Sequence, residues 1–362
     1  MFRTLFVTLS LLFFCSGALA APGFRQVNVP DTEGSALNVA VWYPAIQQGM
    51  TETVGENAAF VGSRVIRNAI PTPGKHPLIV MSHGYNGSWR NLSWLAAAMA
   101  EQGYIVAAPD HPGTTTFNQN PDAARQLWRR PHEISRVIDF ISLSADRVGA
   151  IDNTRIAAIG HSLGGWTVLS LAGARFDPSL FLSSCRHSPH RGDCRLTNKL
   201  GIDDVATQSQ FSSVPGDRRI SAVVSLDTGL APGFTRRSLS SITLPILILA
   251  AGNDSLGELP AAQESAYIAD NLPASRRQYR IIKGATHFSF MQLCKPGAEK
   301  LIDDASPGDG IVCQDDRGAD RAELHQQLTS RIRLFLQAAL DYPAPADEMP
   351  PAKFRKDGGI RD

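Results

Sequence analysis

Net charge is what this chain has least of: 35 Lys and Arg stand against 34 Asp and Glu, a formal +1 across 362 residues. So even a balance argues against a nucleic acid or an anionic membrane surface held by bulk electrostatics. Long apolar runs are scarce too. The run Leu5 to Cys15 is too short, and wrongly flanked, to span a bilayer stably. Cysteine is rare, with five in the chain. Internal repeats are absent, which leaves solenoids and propellers aside.

What is present begins with a leader-like segment. Arg3, the apolar run and Ala18-Leu19-Ala20 ahead of Ala21 read as a secretory signal over residues 1–20. Cys15 falls inside it, without the lead-in of a lipidation site, so a soluble secreted or periplasmic protein is expected. The four remaining cysteines form an even set, and in an oxidising destination proximity pairs Cys185 with Cys194 and Cys294 with Cys313. The pattern Cys185-x-His187-x-x-His190-x-x-x-Cys194 has the donors of a tetrahedral zinc site, but export favours the disulfide. No metal or cofactor is expected. Asn86-Gly87-Ser88 and Asn91-Leu92-Ser93 match the glycosylation pattern, which often arises by chance.

Residues 21–342 alternate strand and helix signals, and one large α/β unit accounts for them. Phe24–Val29 and Leu37–Tyr43 read as an antiparallel pair turning at Asp31-Thr32-Glu33-Gly34. Residues 47–75 read as a long surface connection. Strands follow at 77–81, 104–108, 155–159, 220–226, 244–250 and 278–282, apolar throughout as in a parallel sheet covered on both faces. Helices are predicted at 92–102, 131–144, 163–174, 260–271 and 322–340, which makes a doubly wound, mostly parallel sheet. The last carries the stripe Leu324, Leu328, Ile332, Phe335, Leu336 and Ala339, directed at the sheet. Residues 175–217 break the alternation and read as a small cap-like insertion, while 343–362 reads as a flexible tail.

The chemistry centres on Gly160-His161-Ser162-Leu163-Gly164-Gly165, between an apolar strand and a helix. Gly-x-Ser-x-Gly in that setting is a nucleophile elbow, in which glycines leave room for a strained, outward-pointing serine. A serine hydroxyl needs a histidine base and a carboxylate to orient it. His287, in the loop after the last strand, is the expected base. Asp254, after strand 244–250, is the preferred acid, and Asp227, after strand 220–226, is the alternative. The N–H groups of Tyr85 and Leu163 are expected to form the oxyanion hole, with the Tyr85 ring overhanging the pocket. His83 and His161 flank the site as packing or hydrogen-bonding residues.

His83-Gly84-Tyr85, the Ser162 elbow, Ala251-Gly252-Asn253-Asp254-Ser255 and Gly284-Ala285-Thr286-His287-Phe288 together resemble the α/β-hydrolases of the dienelactone-hydrolase-like group. That group takes in bacterial cutinase-like polyester hydrolases. Val41-Trp42-Tyr43-Pro44 and Asp110-His111-Pro112-Gly113 are similar to the platelet-activating-factor acetylhydrolase branch. The cutinase-like resemblance implies Asp254 as acid, and the acetylhydrolase resemblance implies Asp227. A serine in place of the cysteine of true dienelactone hydrolases speaks against that particular activity. The resemblance implies an α/β-hydrolase fold and a serine hydrolase of small or polymeric carboxylic esters. A lipase or phospholipase-type acyl hydrolase is the close alternative, and a non-catalytic binding protein on the same fold is the alternative from another class.

Overall fold

A computed structural model describes residues 21–31, 36–253 and 259–341. The expected signal segment 1–20, the tip of the first turn, Asp254 and the expected tail 343–362 lie outside them. Ten strands build one sheet: β1 Gly23–Val29, β2 Leu37–Tyr43, β3 Glu52–Val54, β4 Ser63–Arg67, β5 Lys75–Ser82, β6 Ile105–Pro109, β7 Ala150–His161, β8 Ile220–Leu226, β9 Ile246–Ala251 and β10 Arg277–Ile282. Their order is β10-β9-β8-β7-β5-β6-β2-β1-β4-β3. Pairing is parallel from β10 through β6, then antiparallel at β6–β2 and β2–β1.

Side-chain alternation divides the buried residues between the two faces. Leu78 and Val80 of β5, Ile156 and Ala158 of β7, and Ile246 and Ile248 of β9 join one core layer with the helices Arg129–Ser142 and Leu163–Leu171. Their neighbours Ile79, Met81, Ala157, Ile159, Leu247 and Leu249 join the other with Ser93–Glu101 and Arg321–Leu340. With both faces covered, nothing forces polar alternation, which is why these strands read as unbroken apolar runs. Helix Arg321–Leu340 starts at Asp320, whose carboxylate accepts from Ala322 N at 2.7 Å, a side-chain cap on an otherwise unpaired donor. It buries Leu324, Leu328, Ile332, Phe335, Leu336 and Leu340.

One expectation changes. The supposed surface connection 47–75 contains β3 and β4, and β4 pairs with β1 to widen the sheet. Its sequence Ser-Arg-Val-Ile-Arg is short and half-exposed, so it lacks the apolar run that marks the central strands. Residues 175–217, the expected cap-like insertion, pack onto the sheet. Helix Pro178–His187 and the chain after it bury Phe176, Phe181 and Phe211 against Trp166 and Phe234, in the same core layer as the sheet.

Candidate active site

From β5 the chain moves to β6 on one side of the sheet, then crosses back so that β7 pairs with the other edge of β5. That reversal opens a crevice at the carboxyl ends of β5 and β7, where α/β sheets place their ligands. Ser82 ends β5, His161 ends β7, Leu226 ends β8 and Ile282 ends β10. The residues next in sequence converge there.

Ser162 occupies φ 56°, ψ −118°, a region a side chain enters only at a cost of roughly 1–3 kcal/mol. Packing imposes that conformation. A Cβ on Gly160 would lie 2.0 Å from the Gly164 carbonyl oxygen, and one on Gly164 would lie 1.9 Å from that of Ser82. The Ser162 N–H donates to Leu226 O at 3.0 Å, and the Gly165 N–H donates back to Ser162 O at 2.9 Å.

His287 Nε2 lies 3.0 Å from Ser162 Oγ, and its Nδ1 lies 2.6 Å from Asp227 Oδ2. The other Asp227 oxygen accepts from the Ala251 N–H, at the end of β9, at 2.8 Å. His287 and Asp227 are both buried. Asp227, like Ser162, has a positive φ, 43°, so both ends of the hydrogen-bonded line carry backbone strain. The carboxylate on the imidazole is Asp227, the alternative acid, in place of the preferred Asp254, which lies outside the described residues. Strand β8, which Asp227 follows, pairs with β7, which leads into the elbow.

His287 sits in a short turn, His287–Phe290, closed by a reciprocal cap between Thr286 and Ser289. Three more groups hold this turn. His161 Nε2 reaches the His287 carbonyl at 2.9 Å, and His325 Nε2 reaches the Ser289 carbonyl at 3.1 Å. Ser289 also donates to Asp315. Burial pushes His161 well below the usual imidazole range, so it is neutral and serves as a fixed hydrogen-bond donor rather than a second proton carrier. The disulfide Cys294–Cys313 closes the segment that follows, and Cys185–Cys194 closes the insertion. The two sulfurs of the zinc-like pattern are thus bonded to each other.

Leu163 follows Ser162 directly and opens the helix after it. Gly84, the neighbour of Tyr85, packs against Ser162, so that a Cβ on it would be 3.2 Å from Ser162 Cβ. Among the described residues no protein acceptor takes either N–H. Tyr85 itself is half-buried. Chemically, the arrangement offers an activated hydroxyl, a base whose far nitrogen is held by a carboxylate, and two free backbone donors beside them.

A family described as PET hydrolase-like matches residues 29–183. Cutinase 1 from Thermobifida cellulosilytica is 26% identical over 213 residues, covering 58% of this chain and 60% of that protein. Platelet-activating factor acetylhydrolase from Cavia porcellus is 28% identical over 46% of this chain and 52% of its own length. The matches thus span about half to three fifths of these relatives. A solved ferulic acid esterase from Streptomyces cinnamoneus shares the fold at a TM-score of 0.61 and 18% identity, over 93% of this chain and 95% of that one.

Proposed function

We propose that this chain, which has the α/β-hydrolase fold, cleaves carboxylic esters through an acyl-serine intermediate. One observation carries the reading: the unbroken hydrogen-bonded line Ser162–His287–Asp227 beside two unengaged backbone N–H groups. His287 Nε2 takes the proton as Ser162 Oγ attacks the ester carbonyl. Asp227 holds Nδ1 in the protonated tautomer and stabilises the imidazolium that forms. The Tyr85 and Leu163 N–H groups receive the developing oxyanion, and His287 then returns the proton to the departing alcohol. A water deprotonated by the same nitrogen attacks the acyl-enzyme and frees the acid. Two disulfides in one chain favour export to an oxidising compartment.

The acid's position directly after β8 supports a second, finer reading. It is the placement implied by the acetylhydrolase resemblance rather than the cutinase-like one, so a short-chain acyl hydrolase acting on lipid-like esters competes with a polyester hydrolase. Esters of graded acyl length, a phospholipid with a short second acyl chain and a polyester film separate the two. Ser162→Ala should abolish labelling by a fluorophosphonate and lower turnover by on the order of 10⁴ or more, with the fold intact. Near-normal esterase activity in that folded variant would overturn the proposal.

A further inference from the structure

Beneath the proposed oxyanion hole lies a buried charge that the chemistry above does not use. Arg130, in the first turn of helix Arg129–Ser142, is 2% exposed. Its guanidinium has four partners on three other segments. Nη2 donates to Ser82 Oγ at 3.1 Å and to the His83 carbonyl oxygen. Nη1 donates to Thr114 Oγ1 at 3.0 Å, and Nε donates to Thr167 Oγ1 at 3.1 Å. Thr167 Oγ1 in turn donates to the Leu163 carbonyl at 3.1 Å. One planar fork thus spans the β5 loop that leads to Tyr85 and the first turn of the helix that begins at Leu163.

The peptide carrying the Tyr85 N–H is fixed from the same cluster. His83 Nδ1 donates to the Gly84 carbonyl at 2.7 Å, while its Nε2 accepts from the His111 N–H at 3.0 Å, which sets the tautomer. In a trans peptide the Gly84 carbonyl and the Tyr85 N–H point in opposite directions, so holding one aims the other. His111 bridges Ser82 Oγ at 3.0 Å and Glu133 at 2.6 Å. Burying a guanidinium is expensive, and an apolar side chain of similar shape would fill the space without that cost. Its four directional bonds are what an apolar residue cannot replace.

We infer that Arg130 is a positioning residue for the oxyanion hole, holding the two backbone segments that carry the Tyr85 and Leu163 donors in mutual register. The inference rests on the ester-hydrolase reading above. It touches no substrate and moves no proton; it restricts where two N–H groups point.

The test compares an oxygen ester with the matching thionoester, whose C=S sulfur is larger and a weaker acceptor, so the preference for oxygen reports on oxyanion donors. Three full-length variants are used: Arg130→Lys, Arg130→Met combined with Glu133→Gln to avoid stranding a buried carboxylate, and Thr167→Val. Removing one aimed donor costs about 10²–10³ in turnover. Both Arg130 variants should therefore lose roughly that factor in kcat on the oxygen ester, with little change in KM, and the oxygen-over-sulfur preference should fall with it. Thr167→Val, which breaks only the helix side of the clamp, should show the same pattern at roughly a tenth of the size.

Folded variants that keep the wild-type oxygen-over-sulfur preference would overturn the inference, even if their overall rate had dropped. Should the Arg130 variants fail to fold, Thr167→Val decides by the same ratio. A wild-type protein that cleaves neither ester would instead sink the esterase reading itself.

Discussion

The decision between two aspartates turns on a single hydrogen bond. Both Asp227 and Asp254 directly follow strong apolar strands, and both lie in chain order between the elbow serine and the histidine. Sequence therefore offered two equivalent carboxylates, and nothing local distinguishes them. The tertiary fold does, by bringing Asp227 to 2.6 Å from His287 Nδ1. Asp227→Asn should leave the imidazole in the wrong tautomer and cost on the order of 10⁴ in kcat, whereas Asp254→Asn should change kcat by less than about tenfold. Steady-state kinetics on a short p-nitrophenyl ester measures both, and the reverse ranking would return the acid to the loop after β9. The serine and histidine were legible because each sits in a local pattern that only its role explains: glycines where a Cβ would collide, and a loop directly after the last strand. Arg130 was not, since a charged residue at the start of a polar helix looks like solvent-facing surface until the tertiary fold encloses it.

At the level of elements, the central strands and the five main helices were readable because pattern and burial agree over five residues or more, the half-exposed edge strand β10 excepted. The edge strands β3 and β4 were not, since three to five half-exposed residues carry little periodic signal. The insertion 175–217 shows in the sequence only as a break in the alternation. In the structure its aromatics are core and its charged residues brace a neighbouring loop. Asp193 accepts from the Leu230 N–H at 2.9 Å, Glu264 accepts from the Ala231 N–H at 2.8 Å, and Arg191 lies between the two carboxylates at 3.0 and 3.2 Å. All three side chains are buried, and Leu230 is held at φ 61°. The insertion therefore grips the loop three residues beyond Asp227. Asp193→Ala should strand the Leu230 N–H and leave Arg191 with one partner fewer, costing about 1–3 kcal/mol of stability, and should lower kcat through a loosened acid loop. Urea unfolding and ester kinetics on the same variant check this. A variant as stable and as active as the parent would show that the insertion merely covers the loop.

Across the whole molecule, buried histidines and buried carboxylates pull the pH dependence of stability in opposite directions. Burial lowers His83, His111 and His161 well below 6.5, so each disfavours the folded state as acid protonates the unfolded chain. Burial raises Glu133, Glu264 and Asp110, and these contribute in the opposite sense, stabilising at low pH and losing that contribution as pH rises. His325 is outside the hydrogen-bonded line Ser162–His287–Asp227, braces the His287 turn through the Ser289 carbonyl, and stacks on Trp94 at 3.6 Å between ring centroids. Burial, with a smaller contribution from the nearby Arg321 charge, lowers it from 6.5 to about 4. Above pH 6.5 neither state binds the proton and the full stabilisation is present. As pH falls from there toward 4 the unfolded chain takes up the proton first, so stability is lost through that window. By pH 5 the loss from this one residue is about 2 kcal/mol. In His325→Gln, whose amide can still donate toward Ser289 O, the stability difference between pH 7 and pH 5 should shrink by about that amount. Urea titrations of parent and variant at both pH values give the comparison directly. An unchanged difference would mean that His325 takes up its proton equally in the folded and unfolded states, and that the acid sensitivity belongs to the three histidines around the catalytic crevice.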